Sequence, residues 1–282
     1  MNRPPLIPPA PRSIQKGVPL KLMMGPESIE CLALNIRYVK ADFAADEFRD
    51  AALEGLDPLT LMGRGKHIAE TLRRFLPEKY EEALHILVES FTPEEQFSEE
   101  FGLAEMFYLP HSFFIAEFGG DPKYNDGEDP FDSSMRALYE LTKRFTSEFA
   151  IREFLIRQQD RTLSRINDWI TDPNPHVRRL CSEGTRPKLP WGKRLQSFVK
   201  DPKPTLPILE ALKNDETLYV RRSVANHLGD IAKDHADLVF NICGKWLAQG
   251  ASKELKWVMR HAVRHPAKKK VQRALDIRIA AK

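Results

Sequence analysis

Cysteine is scarce in this sequence of 282 residues, and its three copies lie far apart. Cys31, Cys181 and Cys243 form no CxxC pair, and the eight histidines show no metal-ligand spacing. Neither a disulfide framework nor a structural zinc site is therefore predicted, and no cofactor is expected. Such cysteine usage is typical of the reducing cytoplasm. The sequence also lacks an apolar run long enough to cross a bilayer and the core of a signal peptide. No membrane association is expected.

Strand-like alternation of apolar and polar residues is also missing. Apolar residues instead recur at three- and four-residue steps, which predicts helices. The pattern is clearest in "LTLMGRGKHIAETLRRFL", "KYEEALHILVESF", "SSMRALYELTKRF" and "TSEFAIREFLIRQQ". The proline-rich start, "MNRPPLIPPAPR", predicts a mobile arm over residues 1–25, followed by an all-α domain over residues 26–282.

The net charge of +3 conceals a strong asymmetry along the chain. Residues 1–150 hold 16 Lys and Arg against 26 Asp and Glu, whereas residues 151–282 hold 27 against 14. Because lysine and arginine supply most non-specific affinity for nucleic acids, the second half is predicted to contact a polyanion. Two alternatives stay open: the two halves attract each other, or the basic residues are scattered.

An internal repeat is visible in the second half. "DPNPHVRRLCSEG" (172–184) and "NDETLYVRRSVANHLG" (214–229) place Val177 and Val220 at equivalent positions, 43 residues apart. A weaker copy, "KELKWVMRHAV" (253–263), places Val258 a further 38 residues on. A period near 40 predicts HEAT-like repeats, stacked as a curved α-α solenoid with a concave basic face.

The repeat brings arginine pairs to equivalent places. One arginine of each pair is predicted to bind an aspartate of the neighbouring repeat and the other a DNA phosphate, which guanidinium groups bind through two hydrogen bonds. The loop "TRPKLPWGKR" adds further cations beside Trp191. Asn226 is open to two interpretations, a DNA contact or a cap for an adjacent repeat. The candidate DNA-binding residues are Arg152, Arg178, Arg179, Arg186, Lys188, Arg221, Arg222, Asn226 and Arg260, with Arg264 extending the series.

Three segments together resemble a known family: "LTKRFTSEFAIREFL", "DPNPHVRRLCSEGTRPKLPWG" and "YVRRSVANHLGDIAKDH". They are similar to the HEAT-like alkylpurine-DNA glycosylases of the AlkC/AlkD family, and to its AlkC branch in particular, without an immunoglobulin-like domain. The resemblance implies hydrolysis of the N-glycosidic bond of alkylated bases in double-stranded DNA, with 3-methyladenine favoured, as part of base excision repair. It also implies a metal-independent enzyme, and we expect a monomer.

The chemistry of this reaction needs a carboxylate that stabilises a developing sugar cation, and aromatic faces that attract positive charge. Glu148 is the first candidate, because the helical pattern places it on one arc with Arg152 at an apolar wall. Glu117, which ends the run "FFIAEFGG", is the second candidate, and Trp191 is the aromatic candidate. A structural Glu148–Arg152 pair, a solvated Glu117 and a Trp191 that fills a gap between repeats are the competing interpretations.

Two other functions are compatible with the same features. A non-catalytic protein that binds DNA structures would keep the arginines and lose the catalytic acid. A protein-binding HEAT scaffold would show a basic surface interrupted by acids and no affinity for DNA. Release of bases from methylated DNA separates the first from a glycosylase, and a DNA titration against salt separates the second.

Overall fold

The computed structural model describes residues 7–93 and 99–282, and within these ranges every regular element is helical. The all-α prediction is thus confirmed. No helix within the described ranges combines the length and the apolar character that a membrane span requires. The chain divides into two compact units, Met1–Glu153 and Phe154–Lys282. The boundary falls within one helix, α7 (Ile151–Arg157).

The first unit is built from helices before that boundary, and their apolar stripes form its core. In the first of them, Ile29, Leu32 and Ile36 recur at helical spacing and are buried. Its helices are α1 (Pro26–Val39), α2 (Ala45–Leu53), α3 (Leu61–Phe75), α4 (Tyr80–Glu89), α5 (Leu109–Phe118) and α6 (Phe131–Thr142), with 3-10 helices at Leu20–Met24, Glu99–Tyr108 and Pro122–Tyr124.

The described part of the segment predicted as an N-terminal arm contacts the rest of the first unit. The carbonyl of Pro11 accepts a hydrogen bond from the backbone of Leu103 at 3.0 Å. The 3-10 helix Leu20–Met24 ends on a fully buried Met24. Residues 1–6 lie outside the described residues.

The helix predicted over "TSEFAIREFLIRQQ" is interrupted, and this prediction is wrong for its first residues. Helix α6 ends at Thr142 and α7 begins at Ile151, so Glu148 lies in the turn before α7. Side-chain hydroxyls explain the interruption, because they compete with helical hydrogen bonds. Thr146 Oγ1 accepts the backbone N–H of Glu148 at 3.2 Å, and Ser147 Oγ donates to the carbonyl of Leu138 at 2.8 Å.

The second unit contains the predicted repeats. Val177 and Val220 lie near the start of their helices and Val258 lies in the middle of its helix. All three are fully buried, which contributes about 1.5–3 kcal/mol for a side chain of this size. The helices are α8 (Gln159–Trp169), α9 (Pro175–Glu183), α10 (Gln196–Lys200), α11 (Leu206–Leu212), α12 (Leu218–Ile231), α13 (Ala236–Ala248), α14 (Lys253–Ala262), α15 (Arg264–Lys268) and α16 (Gln272–Ala280), with a 3-10 helix at Lys203–Thr205.

Candidate functional site

The principal carboxylate of the first unit is Glu148, which the structure holds in a buried turn. Its side chain is only 8% exposed, and Thr146 Oγ1 donates a hydrogen bond to its Oε2 at 2.8 Å. Arg152 follows in the first turn of α7 and is fully buried. The turn therefore places an oriented acid and a buried cation four residues apart in the chain. Such an arrangement suits a carboxylate that meets positive charge.

The second candidate acid, Glu117, occupies a different environment. It lies near the end of α5, is exposed, and its Oε2 is 3.6 Å from Nζ of Lys66 on α3. Lys66 also lies 3.7 Å from Glu70. A solvated ion pair of this kind contributes little energy. The environment of Glu117 is that of a surface residue.

In the second unit, the first arginine of each repeat pair binds backbone carbonyls at the start of its own helix. Nη1 of Arg178 donates to the carbonyls of Asp172 and Pro173 at 2.9 and 3.0 Å. Nη1 of Arg221 donates to the equivalent carbonyls of Asp215 and Glu216 at 2.5 and 2.9 Å. These contacts give Arg178 and Arg221 a structural role at the start of their helices, and the phosphate contacts predicted for them stay predictions.

Arg178 also joins two successive repeats. Its Nε and Nη2 donate to the two oxygens of Asp215 at 2.6 and 3.1 Å, and hydrogen bonding to Asp215 raises the pKa of the Arg178 guanidinium. This is the inter-repeat aspartate contact that the sequence predicted. Among the described residues, Arg221 has no such contact with an aspartate of the next repeat, and its buried Nε has no hydrogen-bond partner. The equivalent of Asp215 in the third repeat is Lys253.

The second arginine of each pair is the more exposed of the two, and in the first pair it lies beside an aromatic ring. The guanidinium of Arg179 lies 5.2 Å from the ring centroid of Tyr219, and Arg222 on α12 is exposed. Tyr219 is 43% exposed and forms an edge contact with His176 at 5.4 Å. His176, Tyr219 and Trp257 each immediately precede the buried valine of a repeat. The three repeats therefore present rings and cations at equivalent positions.

Trp191 is the most exposed aromatic side chain in the described part of the protein. It is 70% exposed, with a backbone φ of +62°. A tryptophan rarely adopts this left-handed conformation, which costs on the order of 1–2 kcal/mol. The predicted alternative, a tryptophan filling a gap between repeats, does not match this exposure. Trp169 and Trp246 are buried, and Trp257 stacks on His261 with ring centroids 5.1 Å apart.

The loop that carries Trp191 is held by internal ion pairs. Arg186 donates from Nη1 to Glu183 at 2.6 Å and from Nε to Asp230 on α12 at 2.8 Å. Lys188 Nζ lies 2.5 Å from Asp234. The two cations predicted to contact DNA therefore anchor the loop, and their charges are neutralised by acids.

The electrostatics of this anchor centre on Glu183. Burial raises the pKa of Glu183, but the charges of Arg179 and Arg186 and a hydrogen bond from Ser223 lower it more, so that the pKa lies below its usual value. Ser223 Oγ donates to Glu183 Oε2 at 2.6 Å. Burial lowers the pKa of Arg186, and its two acids more than restore it. The two arginines thus keep Glu183 ionised despite its burial.

Asn226 and Arg260, the remaining candidates, contact other parts of the second unit. Oδ1 of Asn226 accepts hydrogen bonds from His261 Nε2 at 2.9 Å and from Arg264 Nη2 at 3.1 Å. Arg260 Nη1 donates to the carbonyl of Ala281 near the end of the chain. Asn226 thus joins α12 to α14 and α15, in accordance with the second of its two interpretations.

Sequence reasoning missed several residues that define this region. Asp230 pairs with Arg186 from 44 residues away in the chain, and Tyr219 presents a ring at the surface. The repeat register was the available signal, since it aligns His176 and Tyr219 with Trp257. The described residues contain no group of three His, Cys, Asp or Glu side chains that could hold a metal ion.

The chain is similar to known proteins in sequence and in fold. Residues 145–265 match the protein family described as "DNA alkylation repair enzyme", a range that includes Glu148 and Trp191. The uncharacterized protein YhaZ of Bacillus subtilis is 36% identical over 259 residues, which cover 92% of this chain and 67% of that protein. The structure is also similar to that of Pseudomonas fluorescens alkylpurine DNA glycosylase AlkC bound to DNA containing an abasic site analog. That match has a TM-score of 0.79 and 36% identity, and covers 92% of this chain and 67% of the other.

Proposed function

This chain belongs to the family of DNA alkylation repair enzymes as an AlkC-type member, and we propose on that premise that it is an alkylpurine DNA glycosylase. The observation that carries the proposal is the structural match to AlkC in complex with DNA, at 36% identity over 92% of this chain. The basic excess of residues 151–282 supports the same conclusion, because it suits a DNA backbone. The helical repeat fold is common to both proteins.

The chemistry follows from the charge of the substrate. An N3-alkylated purine is cationic and already a good leaving group, so the enzyme needs little general acid. As the N-glycosidic bond breaks, positive charge develops on the sugar. We assign Glu148 to the stabilisation of that charge and to the orientation of the attacking water. Its burial and its hydrogen bond from Thr146 support this role, because a preorganised charge is more effective away from bulk water.

The product we propose is an abasic site, released by a monofunctional hydrolase. The favoured substrate is 3-methyladenine, in keeping with the AlkC branch. We assign Trp191 to contact with the DNA near the lesion, supported by its exposure and by its strained backbone. Arg222 is assigned to a phosphate contact, while Arg178, Arg179, Arg186 and Lys188 are excluded from this role, since internal acids pair with these four.

The setting we propose is the cytoplasm, where the protein acts as a monomer on chromosomal DNA. The separation of Cys181 and Cys243, both buried and both free thiols, is consistent with a reducing compartment. Burial raises the pKa of the Cys243 thiol to about 12, which keeps it protonated and unreactive. Residues 26–282 act in this proposal as one glycosylase domain formed by both units.

The decisive experiment is to incubate the purified protein with methylated duplex DNA and to identify the released bases by chromatography. We expect free 3-methyladenine and alkali-labile abasic sites, with no strand cleavage before alkali treatment. Binding to DNA without base release would indicate a non-catalytic DNA-binding protein. Absence of both would favour a protein-binding scaffold.

A further inference from the structure

The charge balance of the second unit changes between successive repeats. In the repeat that contains α9, Glu183 neutralises Arg179 and Arg186. The equivalent residue in the repeat that contains α12 is Asn226, which carries no charge. The cations around Asn226 are therefore left without the carboxylate that the preceding repeat supplies.

Two arginines surround Asn226, and both lack an acidic partner. Arg264 donates from Nη2 to Asn226 Oδ1 at 3.1 Å and from Nη1 to the carbonyl of His261 at 2.8 Å, and both acceptors are neutral. Arg222, one turn before Asn226 on α12, is exposed. Among the described residues, neither arginine has a carboxylate within ion-pairing distance. Arg178 and Arg186, by contrast, each pair with a buried aspartate.

The pKa of His261 reflects the positive charge of the two arginines near it. Burial comes first among the causes that lower the pKa of His261 to about 4, followed by the charges of Arg264 and Arg222. His261 is therefore neutral at physiological pH, and its Nε2–H donates to Asn226. The pKa of Arg264 is itself lowered, by burial and then by Arg186, while Asp230 raises it. Both arginines thus lie near enough to His261 for their charges to lower its pKa.

Asn226 is held in one orientation by these contacts. Its Oδ1 accepts two hydrogen bonds, so its Nδ2 group is free to donate and has no acceptor among the described residues. Arg264 lies along α12, where a Cβ placed on Gly229 would be 3.6 Å from its Nη1. The cluster therefore presents two guanidinium groups and one amide, all of them hydrogen-bond donors. A tetrahedral oxyanion satisfies such a set, whereas a neutral or cationic group does not.

We propose that Arg222, Arg264 and the side-chain amide of Asn226 form a binding site for one phosphodiester group of the DNA backbone. The inference rests on the proposed function, since DNA is the source of that phosphate. In this site Asn226 orients Arg264 and adds a neutral donor, and no acid competes with the phosphate. The partly buried position of Arg264 removes it from the screening that weakens exposed ion pairs.

The test uses full-length protein and an undamaged duplex, with binding followed by fluorescence anisotropy across a range of salt concentrations. Arg222→Ala and Arg264→Ala should each reduce the magnitude of the slope of log K against log salt by about one, the value for one lost phosphate contact. Arg273→Ala is the matched control, since Arg273 pairs with Asp237 at the surface of α16 at 2.6 Å. Its salt slope should equal that of the parent.

Asn226→Asp separates a binding role from a structural one. The new carboxylate would have the shape of the amide and would pair with Arg264 and His261, so the melting temperature should stay equal to that of the parent or rise. DNA affinity should fall by about tenfold or more, because the carboxylate replaces a neutral donor, pairs with Arg264 and repels the phosphate. If Asn226→Asp and Arg264→Ala both bind the duplex within about twofold of the parent and with its salt slope, the site is refuted.

These outcomes are independent of catalysis. A parent protein that binds undamaged duplex but releases no base from methylated DNA would refute the proposed glycosylase, and the phosphate site would still be decided by the salt slopes. A parent that binds no DNA would refute both. A parent that releases bases while the two variants retain normal binding would refute the phosphate site alone.

Discussion

Nε of Arg178 donates to Oδ2 of Asp215 at 2.6 Å and thereby joins α9 to α12 across one repeat. The same aspartate accepts the backbone N–H of Thr217 at 2.9 Å at the start of α12. Asp215 therefore serves two functions: it fixes the turn that begins its own helix, and it receives the arginine of the preceding repeat. A parallel pair, Arg186 and Asp230, joins the loop after α9 to the far end of α12.

These two pairs give a matched test of how the Trp191 loop is positioned. Asp215→Asn and Asp230→Asn each remove the aspartate charge that an arginine contacts, while Glu216 stays 3.4 Å from Arg178 and Glu183 stays 2.6 Å from Arg186. Each substitution should therefore cost about 1–3 kcal/mol of unfolding free energy. Both variants should therefore melt well below the parent. Only Asp230→Asn should also loosen the loop, because Arg186 belongs to it and Arg178 does not.

The readout that separates the two variants is the environment of Trp191. Acrylamide quenching should rise in Asp230→Asn, and its KM for damaged DNA should rise more than its kcat falls. Asp215→Asn should keep the quenching and the KM of the parent at a temperature where both variants are folded. Equal behaviour of the two variants would mean that Asp230 supports the fold without positioning the loop.

The backbone of Trp191 predicts a conflict between stability and function. At φ of +62°, glycine is free of the steric cost that tryptophan meets. Trp191→Gly should therefore be more stable than Trp191→Ala by about 1 kcal/mol, since alanine retains the left-handed penalty. Both variants should lose activity on methylated DNA, because both lack the exposed ring.

Thermal unfolding and base release on the same preparations check this expectation. A tryptophan held mainly by contacts with the protein would give the opposite pattern, with both variants less stable than the parent and the alanine variant no worse than glycine. An unchanged rate of base release would remove Trp191 from the site.

Acid stability of the second unit should depend on His227. This ring is fully buried, its Nδ1 bonds the carbonyl of Ser182 at 3.0 Å, and burial lowers its pKa to about 4. The ordinary value of 6.5 applies in the unfolded chain, so between these values the unfolded state binds more protons. Stability is therefore lost as the pH falls through this window and does not change further below it.

His227→Gln removes this linkage. The loss of unfolding free energy between neutral pH and pH 4 should shrink by on the order of 3 kcal/mol, as measured by denaturant titration at several pH values. His85→Gln, at an exposed histidine of the first unit, is the control and should follow the parent. A His227→Gln profile with the same acid slope as the parent would assign the slope to other groups.

Much of the fold could be predicted because its signals are local or repeated. The spacing of Val177, Leu180 and Cys181 predicts one buried face, and all three are buried. The sequence repeat that places Val177 and Val220 43 residues apart predicts equivalent helices. The equivalence includes the hydrogen bonds that Arg178 and Arg221 donate to backbone carbonyls. Periodicity of this kind needs no knowledge of distant contacts.

The site was harder to predict, for two physical reasons. Glu148 was placed on a helix, but the hydroxyls of Thr146 and Ser147 compete with helical hydrogen bonds and turn the chain there. Whether the charge of an arginine is neutralised also depends on acids that are distant in sequence. Arg186 pairs with Asp230, whereas Arg264 donates only to Asn226 and to a backbone carbonyl. A count of basic residues cannot distinguish these two outcomes.

The central test of the mechanism is Glu148→Gln. Glutamine keeps the size of the side chain and accepts the hydrogen bond from Thr146, but it removes the charge. The rate of 3-methyladenine release should fall by about 100-fold or more, the usual cost of losing one electrostatic contact to a transition state. Binding to undamaged DNA and its salt slope should remain those of the parent, because a carboxylate contributes no phosphate contact.

Glu117→Gln provides the comparison, since Glu117 is an acid of the same unit in an exposed ion pair with Lys66. Its variant should release bases at nearly the parental rate. The reverse result, with Glu148→Gln active and Glu117→Gln inactive, would transfer the catalytic role to Glu117. A fall in both variants would mean that the two carboxylates share the charge of the transition state, because loss of either one would then leave the sugar cation only partly stabilised.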